Sequence, residues 1–287
     1  MKKLKKILRK SCAILPRKLV IYIDYIRSYK MMLNLKNPKY YGEKIQWIKL
    51  YGNLERFAPY VDKYEVRKFV KDTIGEEHLP KLYGVYERTE EIDFNKLPKQ
   101  FVLKMNNGSG GNIICKDKDE LNKKQCIKTL NKWSKEKFYK YTKENQYKGI
   151  KAKIICEEYL EDETGSLRDY KLHCTNGKTH IIEVHTDRFK EHKMNFYSAD
   201  WEKWEAHDKY AKEVDFIEKP EKLSELLYLA ELLSKDFSYV RVDFYIANGK
   251  VYFGELTFTQ SSGAEPYFPL EKDLEIAEII DIHKYNL

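Results

Sequence analysis

No run of apolar residues in this sequence can cross a bilayer; near the start the longest, Leu19 to Ile23, is five residues, against the roughly 20 that a helical span needs. Cysteine is scarce, and the five present (Cys12, Cys115, Cys126, Cys156, Cys174) are odd in number and include no C-x-x-C pair. A disulfide framework is thereby excluded, and reduced thiols in a cytoplasmic protein are expected. There is no internal repeat, no low-complexity linker, and no Ser/His/Asp or Cys/His nucleophile set. His185 and His192 flank Asp187, but their spacing fits no helical metal-ligand pattern, so they are read as hydrogen-bonded or solvated side chains. Met1 to Lys10 carries the charge of a secretory leader, yet Pro16, Arg17 and Lys18 interrupt any apolar core after it and no small-residue cleavage site follows. Export is not expected.

What is present is a globular balance: 42% hydrophobic and 34% charged residues over 287 positions, enough chain to bury a core without metal or disulfide staples. The formal net charge of +8 is uneven. Residues 1–50 hold 14 of the 53 basic residues but 2 of the 45 acidic ones, a net +12, which leaves the body at −4. A body that gripped phosphate backbones would carry its basic residues across the binding face. General nucleic-acid binding is excluded, and the N-terminus becomes a separate question.

Residues 2–33 set Leu4, Ile7, Leu8, Leu19, Tyr22, Ile23 and Ile26 at helical spacing among basic residues. That pattern suits an amphipathic helix pair docked on the body, or one lying on the inner membrane surface or an acidic partner. A turn at Asn37-Pro38 leads into a helix ending near Tyr51, and a further helix is expected from Val61 to Asp72. Phe101 to Met105, bounded by Pro98 and a glycine cluster, predicts a buried strand, as does Lys153 to Leu160. Residues 119–143 read as helical, and Lys222 to Lys235 as an amphipathic helix. Hairpins are expected around Asn176-Gly177 and Asn248-Gly249. The order is α+β, not regular βαβ alternation.

Three segments carry chemistry. Lys104 precedes Asn106-Asn107-Gly108-Ser109-Gly110-Gly111-Asn112. Such a loop can bend sharply and offer its N–H groups to a polyphosphate, with the lysine as a point charge beside it. It is neither G-x-x-x-x-G-K-[ST] nor G-x-G-x-x-G opening a helix. Glu157-Glu158-Tyr159-Leu160 ends an apolar strand whose edge can present backbone groups to a purine. Arg241-Val242-Asp243 and Glu255-Leu256-Thr257 sit on the two arms of one hairpin, and carboxylates so paired suit a hard cation bridging phosphates. A two-residue Asn248-Gly249 turn pairs Asp243 with Gly254 and sends Glu255 to the opposite face. A three-residue loop keeps Arg241, Asp243 and Glu255 together. The apolar pattern (Val242, Phe244, Ile246, Val251, Phe253) favours the first, while the metal pair needs them together.

In this order, the segments NLKNPKYYGEKIQWIKLYG, VDKYEVRKFV, LPKLYGVY, FVLKMNNGSGGNIICKDK, IICEEYLED, DYKLHCTNGK and VRVDFYIANGKVYFGELTFTQSSG resemble the ATP-grasp enzymes, specifically the teichuronopeptide-biosynthesis (TupA-like) branch of polysaccharide loci. The resemblance implies two α+β lobes with the nucleotide between them, preceded by a basic helical segment. Residues 1–60 would form that segment, 61–156 the small lobe with the glycine loop, and 157–287 the large lobe with the carboxylates. It implies ATP and Mg²⁺ as cofactors. Lys63 and Lys104 would meet phosphates; Gly108, Ser109, Gly110 and Gly111 would close over the terminal one. Glu157, Glu158, Tyr159 and Leu160 would read adenine, and Asp169 the ribose. Asp243, Glu255 and Thr257 would hold the metal, with Thr257 standing where the commonest ATP-grasp pattern has Asn. Arg241 and Lys104 would be catalytic, Arg241 steadying the transferred group.

The implied reaction is carboxylate–amine ligation through an acyl phosphate, adding an amino acid or amine to a sugar or uronic-acid carboxylate in surface-polysaccharide synthesis. The partners are small-molecule or glycan carboxylates and an amine, with no nucleic acid. Thr259 to Gly263 and the Trp201/Trp204 segment are the expected substrate walls. Alternatives are a glycosyltransferase of the same pathway, which would favour a D-x-D beside a parallel sheet, and a non-catalytic nucleotide-binding protein.

Overall fold

A computed structural model describes residues 14–162, 165, 167–187, 191–207, 212, 214 and 216–286. Two antiparallel sheets organise it, each backed by helices. The α-helices of five or more residues are α1 (Arg17–Tyr29), α2 (Tyr41–Tyr51), α3 (Val66–Ile74), α4 (Lys123–Trp133), α5 (Phe138–Thr142), α6 (Leu223–Ser234) and α7 (Leu270–Glu278). The first sheet has the order β1-β4-β2-β3, from β1 (Leu82–Tyr86), β2 (Phe101–Met105), β3 (Asn112–Cys115) and β4 (Ile154–Glu157). The second runs β7-β6-β5-β8-β9, from β5 (Asp169–Thr175), β6 (Lys178–Thr186), β7 (Lys193–Ser198), β8 (Val240–Ala247) and β9 (Lys250–Thr257). The α+β expectation holds. Among the described residues no helix is long and apolar enough to cross a membrane.

The first sheet packs Phe101, Leu103, Met105, Ile154 and Cys156 against Cys126 and Leu130 of α4. The second has a larger core, in which Leu172, Ile182, Val184, Val242 and Phe244 meet Leu226, Leu229 and Leu233 of α6; Ile45, Val61 and Val70 from before the first sheet join this core. Cys115, Cys126, Cys156 and Cys174 are buried free thiols, and burial pushes the last two up to about 12. Cys12 lies outside the described residues.

Several local expectations need correction. The helix expected from Val61 begins at Val66, because Asp62 is extended and its Oδ1 accepts the amides of Tyr64 and Glu65, 2.9 and 3.3 Å away, breaking the first turn. The 119–143 helix divides into α4 and α5. Of the helix pair expected over 2–33, the second is α1, and the first, with Leu4, Ile7 and Leu8, lies outside the described residues. The buried face of α1 is Val20, Ile21, Tyr25 and Tyr29, while Leu19, Ile23 and Ile26 stay exposed. Aromatic packing decides this. Tyr25 and Tyr29 stack at 4.3 Å, and Tyr29 crosses α2 at Gly42, where a Cβ would come within 2.4 Å of the ring.

Candidate active site

Strand alternation builds the site. Cross-strand partners share a face, so the register places Asp169, Lys171 and His173 of β5 beside Glu183 and His185 of β6 on one side and Arg241, Asp243 and Tyr245 of β8 on the other. Glu255 and Thr257 of β9 pair with Asp243 and Arg241. The β8–β9 turn is two residues, as the apolar pattern favours, with Asn248 at φ 52° and Gly249 at φ 71°. Yet Glu255 is not thrown to the opposite face. A β-bulge at Gly254 adds one residue to β9, so Phe253 pairs with Phe244 and Glu255 with Asp243. A Cβ at Gly254 would lie 3.1 Å from the Asp243 carbonyl oxygen. The carboxylates therefore share a face by a route neither sequence alternative contained.

All of these but Asp169 and the fully buried His173 line a cleft of about 550 Å³. Arg241 donates to both oxygens of Asp243 at 2.6 and 2.7 Å, and reaches Glu255 at 3.3 Å and the Thr257 hydroxyl at 3.2 Å. Lys171 donates to Asp243 at 2.6 Å, and Lys63 to Glu255 at 3.4 Å and to the Gly108 carbonyl at 2.8 Å. Burial raises the Glu255 carboxyl, but Lys63, Arg241 and Lys171 outweigh it and hold the group at about 2. Three cations thus meet these two carboxylates at one end of the cleft, where they can turn to a polyphosphate, while Glu144, Glu183 and Glu265 line the rest of it. Two carboxylates and a hydroxyl, all hard oxygen donors, also fit Mg²⁺, which typically takes one or two carboxylates and completes its shell with substrate phosphates and water. Among the described residues no larger acidic or histidine cluster competes for a metal.

The glycine loop joins β2 to β3. Buried Asn106 fastens its base, donating to Asp62 at 2.8 Å and to the Lys151 carbonyl at 3.1 Å while accepting the Lys153 amide at 2.7 Å. Ser109 and Gly110 line the cleft; Gly108 and Gly111 line an adjoining hollow with Trp133 and Phe138. A second pocket of about 420 Å³ holds Val102, Lys104, Ile114, Glu158, Tyr159, Leu160 and Asp169. It shares Asn112 and Tyr245 with the cleft, so an apolar slot and a charged cleft have common walls.

Glu157 differs from its expected role. Its buried side chain receives Lys104 at 2.7 Å and Arg67 at 2.6 Å, and it does not line the slot; it positions the lysine. Thr259, Gln260, Ser261 and Ser262 line the cleft as expected. Trp201 and Trp204 do not: Trp201 stacks on Tyr197 at 4.4 Å, and Trp204 packs against Phe196 and donates to Glu275 at 2.9 Å. Sequence reasoning missed Lys171 and Glu183, whose signals were the polar alternations Asp169-x-Lys171-x-His173 and Glu183-x-His185 within strands. It also left His185 and His192 as ordinary side chains, although both line the cleft. Burial pushes Glu183 up, but His185, the hydrogen bonds from both buried histidines and Arg241 hold it well below the usual carboxylate range.

An apolar slot at a strand end, a glycine loop, paired carboxylates and converging lysines define an ATP-grasp protein. The chain belongs to the TupA-like ATP-grasp family, whose model matches residues 43–281. No curated protein matches it by sequence. Among solved structures it is similar to a D-alanine–D-alanine ligase from Bacillus anthracis (19% identity, 85% of this chain and 68% of that one, TM-score 0.46). It is also similar to the ATP-grasp ligase PsnB with its minimal precursor (11%, 75% and 59%, 0.41) and to a D-alanine–D-alanine ligase from Helicobacter pylori (16%, 84% and 69%, 0.39). The chain spans between 56% and 69% of the length of such ligases.

Proposed function

We propose that this protein is an ATP-dependent carboxylate–amine ligase that adds an amino acid or another amine to a sugar or uronic-acid carboxylate during surface-polysaccharide synthesis. The observation that carries the reading is the continuity of the apolar slot with a cleft where Lys63, Lys171 and Arg241 surround Asp243 and Glu255. In this reading residues 61–156 and 157–287 act as the two lobes. Val102, Ile114, Tyr159 and Leu160 take the base and Asp169 the ribose. Lys104, held by Glu157, and Lys63 meet the phosphates, and the loop at Gly108, Ser109, Gly110 and Gly111 covers them. Asp243, Glu255 and Thr257 would hold Mg²⁺, which would supply neutralisation of phosphate charge. Arg241 and Lys171 then exchange their carboxylate partners for the anionic oxygens of the reacting group. The residues contribute positioning and charge, so no side-chain nucleophile is required.

The sheets are wholly antiparallel among the described strands, which does not favour a nucleotide-sugar glycosyltransferase. A thermal-shift comparison decides between them. ATP–Mg²⁺ should stabilise the wild type, UDP-sugars should not, and Lys104→Ala should lose the ATP effect. Stabilisation by UDP-sugar alone sinks the ligase reading.

We propose in addition that residues 1–33 make a peripheral contact with the inner membrane surface. Leu19, Ile23 and Ile26 form an exposed stripe at helical spacing, with exposed Lys18, Arg27 and Lys30 nearby. Of the two acids in residues 1–50, Glu43 is spent on the amides of Asn34, Lys39 and Tyr40. Flotation with anionic vesicles should carry the wild type and leave a Leu19→Ser/Ile23→Ser/Ile26→Ser variant behind.

A further inference from the structure

One wall of the cleft carries a buried polar network whose hydrogens can be assigned in turn. Its hub is the ionised Glu183, 4% exposed. His173 Nε2 and Gln260 Nε2 reach one of its oxygens at 3.1 and 2.9 Å, and His185 Nε2 reaches the other at 2.5 Å. An ionised carboxylate only accepts, so each of these nitrogens donates. Burial pushes the pKa of His173 down, so the ring is neutral and its Nδ1 is an acceptor. The Tyr239 hydroxyl must then donate to Nδ1 at 2.9 Å, and the Tyr239 oxygen accepts in turn from Tyr41 at 2.7 Å. Every hydrogen on that branch ends on an acceptor inside the protein.

The branch through Gln260 ends differently. One Nε2 hydrogen goes to Glu183, and the other goes to the Tyr267 hydroxyl oxygen at 2.8 Å. The amide holds this orientation although its own Oε1 is buried without a partner. Turned over, it would set that oxygen against the Glu183 carboxylate. The Tyr267 oxygen therefore accepts, its own hydrogen is left over, and among the described residues nothing accepts it. Tyr267 is 4% exposed and lines the cleft beside Glu183 and Gln260. Its ring is held edge-on by Tyr41 and Phe196, both at 5.4 Å, and its amide by Asp273 at 3.0 Å. Burial, with Glu183 nearby, raises the phenol well above its ordinary value, so the hydrogen stays in place. A fixed, neutral donor thus opens on the cleft that Arg241 also lines.

We infer that Tyr267 is a catalytic residue whose hydroxyl donates to the acyl oxygen of the reacting carboxylate. The inference rests on the ligase reading and deepens it: it says which wall of the cleft receives the carboxylate. Of the two reacting groups, only the carboxylate brings oxygen acceptors. An ammonium ion has no lone pair, and a free amine needs its lone pair for the acyl carbon. In the acyl phosphate the oxygen facing Tyr267 is a carbonyl. The free amine adds its lone pair to the carbon, and the carbonyl pair moves onto the oxygen, which becomes an oxyanion. When that pair returns, the bond to the phosphate oxygen breaks; the phosphate leaves with the bonding electrons and takes one nitrogen proton. Tyr267 keeps its own proton throughout, and its hydrogen bond strengthens as the negative charge develops.

Two measurements test this role, with ATP–Mg²⁺ thermal shift as the control for folding and for the nucleotide site. The first is NMR of the full chain, made with tyrosine carrying ¹³C at Cζ, in equal parts of H₂O and D₂O. A hydroxyl that exchanges slowly gives two lines, and one that exchanges quickly gives one. Tyr41 and Tyr239 should give two lines and Tyr267 one, assigned through Tyr41→Phe, Tyr239→Phe and Tyr267→Phe. Two lines from Tyr267 show its hydrogen held inside the protein and overturn the inference. The second measurement follows hydroxamate formation from D-glucuronate and hydroxylamine. Tyr267→Phe should lower kcat about 100-fold, while KM for D-glucuronate changes less than about threefold and the ATP–Mg²⁺ shift is kept. A loss confined to KM, or a kcat within about threefold of the wild type, overturns it. If the wild type forms no hydroxamate, the carboxylate class has failed and the exchange measurement alone decides the role of Tyr267. If ATP–Mg²⁺ gives no stabilisation, the ligase reading fails instead.

Discussion

The two faces of the five-stranded sheet come from the same strands and differ in almost everything else. One face sets Leu172, Ile182, Val184, Val242 and Phe244 against the leucines of α6. The other sets Lys171, Glu183, Arg241 and Asp243 at least nine-tenths buried around a cleft. On the first, burial itself stabilises, at roughly 25 cal/mol per Å² of apolar surface. On the second, burial penalises each charge, and the arrangement survives because the cations and carboxylates are matched within hydrogen-bond distance. Neighbouring residues one position apart therefore answer to different physics. The apolar face tolerates exchange of shape for shape; the charged face tolerates almost nothing, since each group is another's partner.

Breaking the match on the charged face should have the largest effect. Arg241→Met strands Asp243 and Glu255 without their shared cation, and a loss of about 3–5 kcal/mol in denaturant unfolding is expected, together with loss of stabilisation by ATP–Mg²⁺. On the opposite face Leu172→Ala opens a cavity and should cost about 2–5 kcal/mol, yet leave the ATP–Mg²⁺ shift intact. If both variants lost the ligand effect equally, the two faces would not be independent. The smallest effect concerns a buried carboxylate outside the sheet. Asp273 accepts from Tyr29 and from the amides of Tyr41 and Tyr267, and burial raises it to about 6 even so. An acid raised above its unfolded value stabilises the fold most at low pH. That contribution, about 2–3 kcal/mol, should fade as pH rises from 4 through 6, and Asp273→Asn should flatten this part of the stability–pH curve.

Much of this architecture was legible in the sequence because its signals are local. Asn176-Gly177 and Asn248-Gly249 each form the two-residue turn their backbone freedom suggests. The glycine loop, Lys104 and the carboxylates stand within short motifs that retain their order in the fold. What escaped was relational. Lys171 and Glu183 look like ordinary strand positions until β8 and β6 are laid on either side of β5. Glu157 reads as the end of a strand until Lys104 and Arg67 converge on it from β2 and α3. The stripe Leu19, Ile23, Ile26 has the right period to be a core face, but the stacking of Tyr25 on Tyr29 and the contact at Gly42 turned the helix the other way. Period identifies that a helix has a face; only the partner says which.

The extra residue at Gly254 has a consequence for how such a hairpin can change. A strand counts in twos, so the tight turn at Asn248-Gly249 and the position of Glu255 stand in conflict of parity, and the bulge resolves it by absorbing one residue. Turn and site are thereby decoupled. An insertion or deletion of one residue between them would usually move a charge into the core and an apolar ring into the cleft. Here a single-residue deletion at the bulge would still leave Glu255 opposite Asp243. The hairpin holds one spare count, and it can lose that residue between its tip and its carboxylate-bearing end without exchanging inside for outside.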